Sequence, residues 1–259
     1  MKKITLLILS ILILPLFPIS AAAYGWGYEK NKDGSPPDVG FYGPLLEQHD
    51  GFYIDKSGDK EIYITFDNGY EEGYTGQILD ILKEKRVPAA FFITGHYINS
   101  APELVKRMNK EGHIIGNHSW HHPDFTSSSK SRIKEELDKV ETAVAQLTDQ
   151  KDMLYLRPPR GTFTAKSLEL TRELGYINAF WSIAFVDWNT GQQKGWKYAY
   201  DSLMSQVHPG AVMLLHSVSE DNALALEKII DDLRAQGYTF HSLDHLMMKK
   251  LLPRGGYWY

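Results

Sequence analysis

The sequence predicts an α/β chain, a distorted or partly open (β/α) barrel built on a parallel sheet, and three observations predict it. Short apolar runs alternate with amphipathic stretches from Lys60 onward. The runs are nearly continuous in apolar residues, as strands buried on both faces require. Polar residues end almost every run rather than gathering at one crossover, which suits a barrel better than an open doubly wound sheet.

Before the first run, Lys2-Lys3, an apolar stretch from Ile4 to Phe17 and Ala21-Ala22-Ala23 follow the order of a secretory signal peptide, residues 1–23, cut near Ala23. The stretch is short for the ~20 residues of a membrane span and holds Pro15 and Pro18. A retained leader would instead anchor the chain to a membrane. Both readings place the remainder outside the cytoplasm, secreted or cell-wall associated. Residues 24–59 combine turn chemistry at Asn31–Pro37 with Trp26, Tyr42 and Tyr53, and read as an extension wrapped on the domain. The domain proper spans residues 60–252, with a tail at 253–259.

The expected strands are Ile62–Phe66, Ala89–Ile93, His113–Ile115, Met153–Leu156, Ala179–Ile183, Val212–Leu215 and, more weakly, Tyr238–His241. The clearest helix carries Ile133, Leu137, Val140, Val144 and Leu147 on one face. Another starts with Ser100 and Glu103 as a capping box and stops at Gly112, and Gly175 and Gly237 end two more. The chain has no cysteine, so its stability rests on a core. Removing Lys2 and Lys3 takes the formal charge from −4 to −6, which argues against nucleic acid as a partner. No glycine-rich phosphate loop occurs, so no nucleotide cofactor is expected. Neither a cysteine nucleophile nor a Gly-x-Ser-x-Gly elbow is present.

Five strand ends carry the chemistry. Asp67 and Asn68 leave the first run in Thr65-Phe66-Asp67-Asn68-Gly69. His118 and His122 have the spacing that sets two imidazoles on one side of a helical turn, within reach of one ion, with His121 a competing ligand. Two imidazoles bind zinc modestly, so a third ligand is expected. If Asp67 serves as general base, the Asn68 amide oxygen is left to touch the metal as a weaker, neutral donor. Arg157 and Arg160 flank a Pro-Pro pair, and a guanidinium near Asp67 would keep it ionised. The N–H of Arg160 is a candidate oxyanion donor. His216 ends the run Val212–Leu215 and suits a general acid, with Asp187 holding its ring. Trp181, Trp188 and Trp196 are candidates for a sugar-stacking groove. An Asp base and a His acid beside a held water suit hydrolysis of an amide or ester.

With those residues in place, the chain resembles the polysaccharide deacetylases of carbohydrate esterase family 4, which share the NodB homology domain. The resemblance covers about residues 60–250 and five motifs in family order. It implies removal of N-acetyl groups from an amino-sugar polymer, with Asp67 as base, Asn68, His118 and His122 at the positions holding a divalent metal such as zinc, and Arg157 beside the base. It implies Asp187 orienting His216, the general acid, and Trp188 walling the groove. Three positions depart from the pattern: Asn68 replaces Asp, Arg160 stands where Tyr is common, and Ala184 lacks the first Asp of the fourth motif. The departures imply weaker metal binding and a changed substrate.

Together the segments Thr65–Glu71, Gly112–His118, Leu156–Gly161 and Trp181–Trp188 are similar to the muramic acid deacetylases of endospore-forming bacteria, which prepare cortex peptidoglycan for muramic δ-lactam formation. That resemblance implies a peptidoglycan glycan strand as partner, a monomer, and Arg160 contacting the lactyl carboxylate of N-acetylmuramic acid, which an arginine grips bidentately. Two other readings stand beside it. One is a deacetylase of chitin-like or N-acetylglucosamine polymers, and the other a glycan-binding protein without catalysis.

Overall fold

The structure, a computed structural model, describes residues 22–31 and 33–251. Nearly all of the expected signal peptide, and the whole of the tail at 253–259, lie outside the described residues. In chain order the elements are β1 (Tyr24–Gly25), α1 (Tyr42–Gln48), β2 (Glu61–Asn68), α2 (Thr75–Lys85), β3 (Ala89–Ile93), α3 (Gly95–Ser100), α4 (Pro102–Lys110), β4 (Ile114–Asn117) and α5 (Lys130–Leu147). They continue as β5 (Tyr155–Leu156), β6 (Thr162–Phe163), α6 (Ala165–Glu173), β7 (Ile177–Asn178), α7 (Trp196–Met204), β8 (Ala211–His216), α8 (Glu220–Ala235), β9 (Thr239–Phe240) and α9 (Leu243–Leu251).

The main sheet runs β7-β5-β4-β3-β2-β8, with β9 also paired to β2, and every pairing in it is parallel. It curls, and beyond β7 Ile183 bridges Met213 of β8 in parallel while the Leu214 N–H donates to the Ile183 carbonyl at 2.9 Å. The result is the partly open parallel barrel expected, closed on one side by a single-residue seam. One expected strand is displaced: β7 lies at Ile177–Asn178, and the stretch 179–183 makes isolated bridges only. The carbonyls of Ala179 and Phe180 are taken by the Arg157 guanidinium, at 2.9 and 3.5 Å.

Alternation along β2 sorts the core. Ile62, Ile64 and Phe66 pack with the helix layer, where α2 supplies Ile78, Leu79 and Leu82 and α8 supplies Leu226, Ile229 and Ile230. Tyr63 faces the barrel interior with Phe92, Tyr155 and Val212. This period of two places Asp67 on the interior side, above Tyr63 and Thr65. The apolar stripe of α5 is buried at Ile133, Leu137, Val140 and Val144, as its spacing predicts. The expected capping box at Ser100 is not formed. Ser100 ends α3, and α4 starts on Ala101 with Pro102 in its first turn, where the missing N–H costs nothing. Gly112, Gly175 and Gly237 follow their helices with φ of 79°, 91° and 84°.

The N-terminal segment lies against the domain. β1 pairs antiparallel with β6, and the Trp26 indole N–H donates to the Trp181 carbonyl at 3.0 Å.

Candidate active site

A cleft of about 960 Å³ opens at the carboxyl ends of the parallel strands. Asp67, His118, His122, Arg160, Trp188 and His216 are among the residues that line it. Asp67 and His216 are register partners on β2 and β8, so the two strands deliver the two groups side by side.

Asp67 is buried, and its Oδ1 accepts a hydrogen bond from Arg157 Nη1 at 2.7 Å. Arg157 is 0 % exposed, lies over the Phe92 ring at 4.1 Å, and donates through Nε to the Ala179 carbonyl. Burial by itself would raise the Asp67 pKa, but the Arg157 guanidinium, with His118 and His216, outweighs it and holds the carboxyl below the ordinary range. The aspartate is therefore ionised at neutral pH.

His118 follows β4 directly, and its Nδ1 pairs with the Arg157 carbonyl at 2.8 Å. A carbonyl can only accept, so Nδ1 carries the proton and the Nε2 lone pair faces Asp67 Oδ2 at 3.6 Å. Burial lowers the pKa of His118, and burial with the neighbouring His118 lowers His122 to about 4. Both rings are thus neutral and able to ligate. The expected helical turn between them is absent. Left-handed backbone at Ser119 (φ 65°) and His122 (φ 57°) folds the loop so that the rings approach to 4.8 Å between centroids.

That loop has a buried anchor. Glu136 of α5, 0 % exposed, accepts from the His121 backbone N–H at 2.6 Å, pairs with His121 Nδ1 at 2.7 Å and meets Arg132 Nη2 at 2.6 Å. His121, the competing ligand on spacing alone, is held by Glu136. Asn68 is buried and does not line the cleft; its Nδ2 donates to Ser217 Oγ at 2.6 Å. Its Oδ1 is buried with no hydrogen-bond partner among the described residues, the condition of an acceptor suited to a cation.

His216 Nδ1 pairs with Asp187 Oδ1 at 2.7 Å, and the His216 backbone N–H donates to Oδ2 at 2.8 Å. Asn222 at the start of α8 donates to the same carboxylate at 2.6 Å. Burial opposes charging of His216, but the Asp187 carboxylate, helped by Asp67, raises its pKa overall. Trp188 packs edge-on to the imidazole at 5.5 Å. Trp181 also lines the cleft, whereas Trp196 does not. Arg160 is exposed at the rim, with φ 61° and ψ 4°, and makes no hydrogen bond or ion pair among the described residues.

A family profile described as polysaccharide deacetylase matches residues 55–179. The peptidoglycan-N-acetylmuramic acid deacetylase PdaA of Bacillus subtilis is 53% identical over 226 residues, 87% of this chain and 86% of that protein. The chain belongs to the polysaccharide deacetylase family. The deacetylase is a hydrolase acting on carbon–nitrogen amide bonds. The solved structure of Bacillus subtilis PdaA, a family 4 carbohydrate esterase, superposes with a TM-score of 0.86 at 52% identity, covering 88% of this chain and 98% of that one. A family 4 carbohydrate esterase from Bacillus anthracis gives a TM-score of 0.74 at 49% identity, covering 88% and 97%.

Two supporting residues escape a reading of the sequence. Glu136 had a signal, since a carboxylate three residues from Ile133 and one before Leu137 sits beside an apolar stripe. Asn222 had little, being one polar residue in a helical first turn.

Proposed function

We propose that the deacetylase removes the N-acetyl group of N-acetylmuramic acid in peptidoglycan strands. The observation that carries this reading is Arg160, a guanidinium without a partner among the described residues that lines the same cleft as the acid and base. Muramic acid differs from glucosamine by a lactyl carboxylate, the anion that a free guanidinium recognises. The similarity to an N-acetylmuramic acid deacetylase supports the same substrate. The product carries an amine near that carboxylate, the pair of groups a δ-lactam requires, so we assign the reaction to the spore-cortex route. The leader-like residues 1–23 support an extracytoplasmic site of action.

Asp67 takes a proton from the attacking water as the new C–O bond forms at the acetamide carbonyl. His216, protonated and held by Asp187, gives its proton to the nitrogen as the C–N bond breaks, leaving acetate and the free amine. The Arg160 N–H is assigned to the oxyanion. His118 and His122, neutral and with the Nε2 of His118 free, would suit a divalent ion such as zinc, and Asn68 Oδ1, unpartnered among the described residues but outside the cleft lining, would add a third, weaker donor once its side chain turned toward them. Such an ion supplies Lewis acidity toward the carbonyl and acidifies water.

Arg160→Tyr tests the reading. The expected variant loses most kcat/KM on muramic substrate, about tenfold or more for a lost charge-assisted bidentate pair, while zinc binding measured by calorimetry is unchanged. Unaltered kcat/KM on that substrate would contradict it.

A further inference from the structure

At the opposite end of the barrel, Glu61 of β2 and the pair His241 and His245 bring three ligating groups together. One carboxylate oxygen and two ring nitrogens all lie within 4.8 Å of one another. Glu61 Oε1 is 3.3 Å from His245 Nε2 and 3.9 Å from His241 Nε2, and the two rings stack at 4.1 Å. We propose that Glu61, His241 and His245 form a second divalent-metal site, separate from the cleft, that clamps the final helix α9 to the start of the central strand β2. Asp67 lies six residue steps along the strand from Glu61, about 20 Å at ~3.3 Å per step.

The surroundings suit such a site. Glu61 Oε2 is fixed by the Tyr63 hydroxyl at 2.6 Å and Lys249 Nζ at 2.8 Å, so Oε1 is the oxygen left to face the imidazoles. Supporting bonds of this kind orient a ligating carboxylate. Lys249 is also held by Asp55 and Asp59, each at 2.8 Å, so three carboxylates surround one ammonium and leave an excess of negative charge beside the imidazoles. Lys60, the adjacent cation, is turned away to the Gln236 carbonyl. His241 Nε2 meets Thr239 Oγ1 at 3.0 Å, a contact it exchanges for the ion. Two imidazoles and one carboxylate select ions of the zinc, nickel or copper type over magnesium or calcium, and leave a fourth position for water.

The test separates this site from the cleft. In protein carrying His118→Ala and His122→Ala, one equivalent of zinc still binds by calorimetry. Tm rises by roughly 5 °C at a hundredfold excess over the dissociation constant, whereas magnesium has no effect. Adding His241→Ala and His245→Ala abolishes both signals. In the otherwise native protein the same two replacements leave deacetylase activity on peptidoglycan unchanged, which shows that it folds. Absence of zinc binding in the first variant, or binding that persists without His241 and His245, would overturn the proposal whatever the outcome for the muramic substrate.

Discussion

Asp67 and His216 stand in neighbouring strands with opposite electrostatic tasks, and their environments push them apart. Arg157 keeps the aspartate ionised, and Asp187 keeps the histidine protonated to higher pH. Activity is therefore expected to fall as pH rises through the raised His216 pKa, since the acid then lacks its proton. Asp187→Asn removes the charge that raises this pKa, so the basic limb of the rate profile moves to lower pH. Its kcat falls on the order of a hundredfold or more. A limb that does not move would mean that Asp187 acts only as packing. Asn68→Asp places a charged donor where a neutral one now lies, and zinc titration in a His241→Ala, His245→Ala background is expected to give a dissociation constant at least about tenfold lower. An unchanged constant would remove Asn68 from the ligand set.

Among the elements, β4 and α5 together make the histidine pair usable. The strand delivers His118, and Glu136 on the helix fixes the loop through His121. Glu136→Gln keeps the shape but drops the charge facing Arg132 and His121. The expected cost is about 1–3 kcal/mol in stability, with zinc binding at the cleft weakened roughly tenfold, as read by denaturant melts and calorimetry. Stability loss with unaltered zinc affinity would confine Glu136 to the fold. The helix was legible in the sequence because its apolar stripe recurs from Ile133 to Leu147 within an 18-residue helix. The loop was not, because the positive φ at Ser119 and His122 goes with side-chain-to-backbone bonds, the Ser119 N–H donating to Asn117 Oδ1 and the His122 N–H to Ser119 Oγ, which a reading by helical spacing does not anticipate. The displaced strand near residue 179 failed for a related reason, as its carbonyls serve Arg157 from a distant strand end.

At the scale of the whole molecule, the parallel barrel gathers groups from residues 67 to 216 at one rim while the other end holds the network of Glu61 and Lys249. Fold class and the positions of Asp67, His118, Arg157 and His216 at strand ends were readable because hydrophobic runs mark strands and polar residues mark their exits, whereas Asp187 follows the stretch 179–183, which makes isolated bridges only. Which exits face each other depends on register and curl, and these are set by pairings such as Asp67 with His216 and Ile183 with Met213. The cleft they form, about 960 Å³, carries the Arg160 guanidinium at its edge. The most direct test of the central claim is the mass spectrum of glycan fragments after the enzyme has acted on peptide-stripped peptidoglycan, with released acetate measured alongside. Acetyl loss from muramic acid with an equal yield of acetate is the predicted result, and acetyl loss from glucosamine alone, or none, would contradict it.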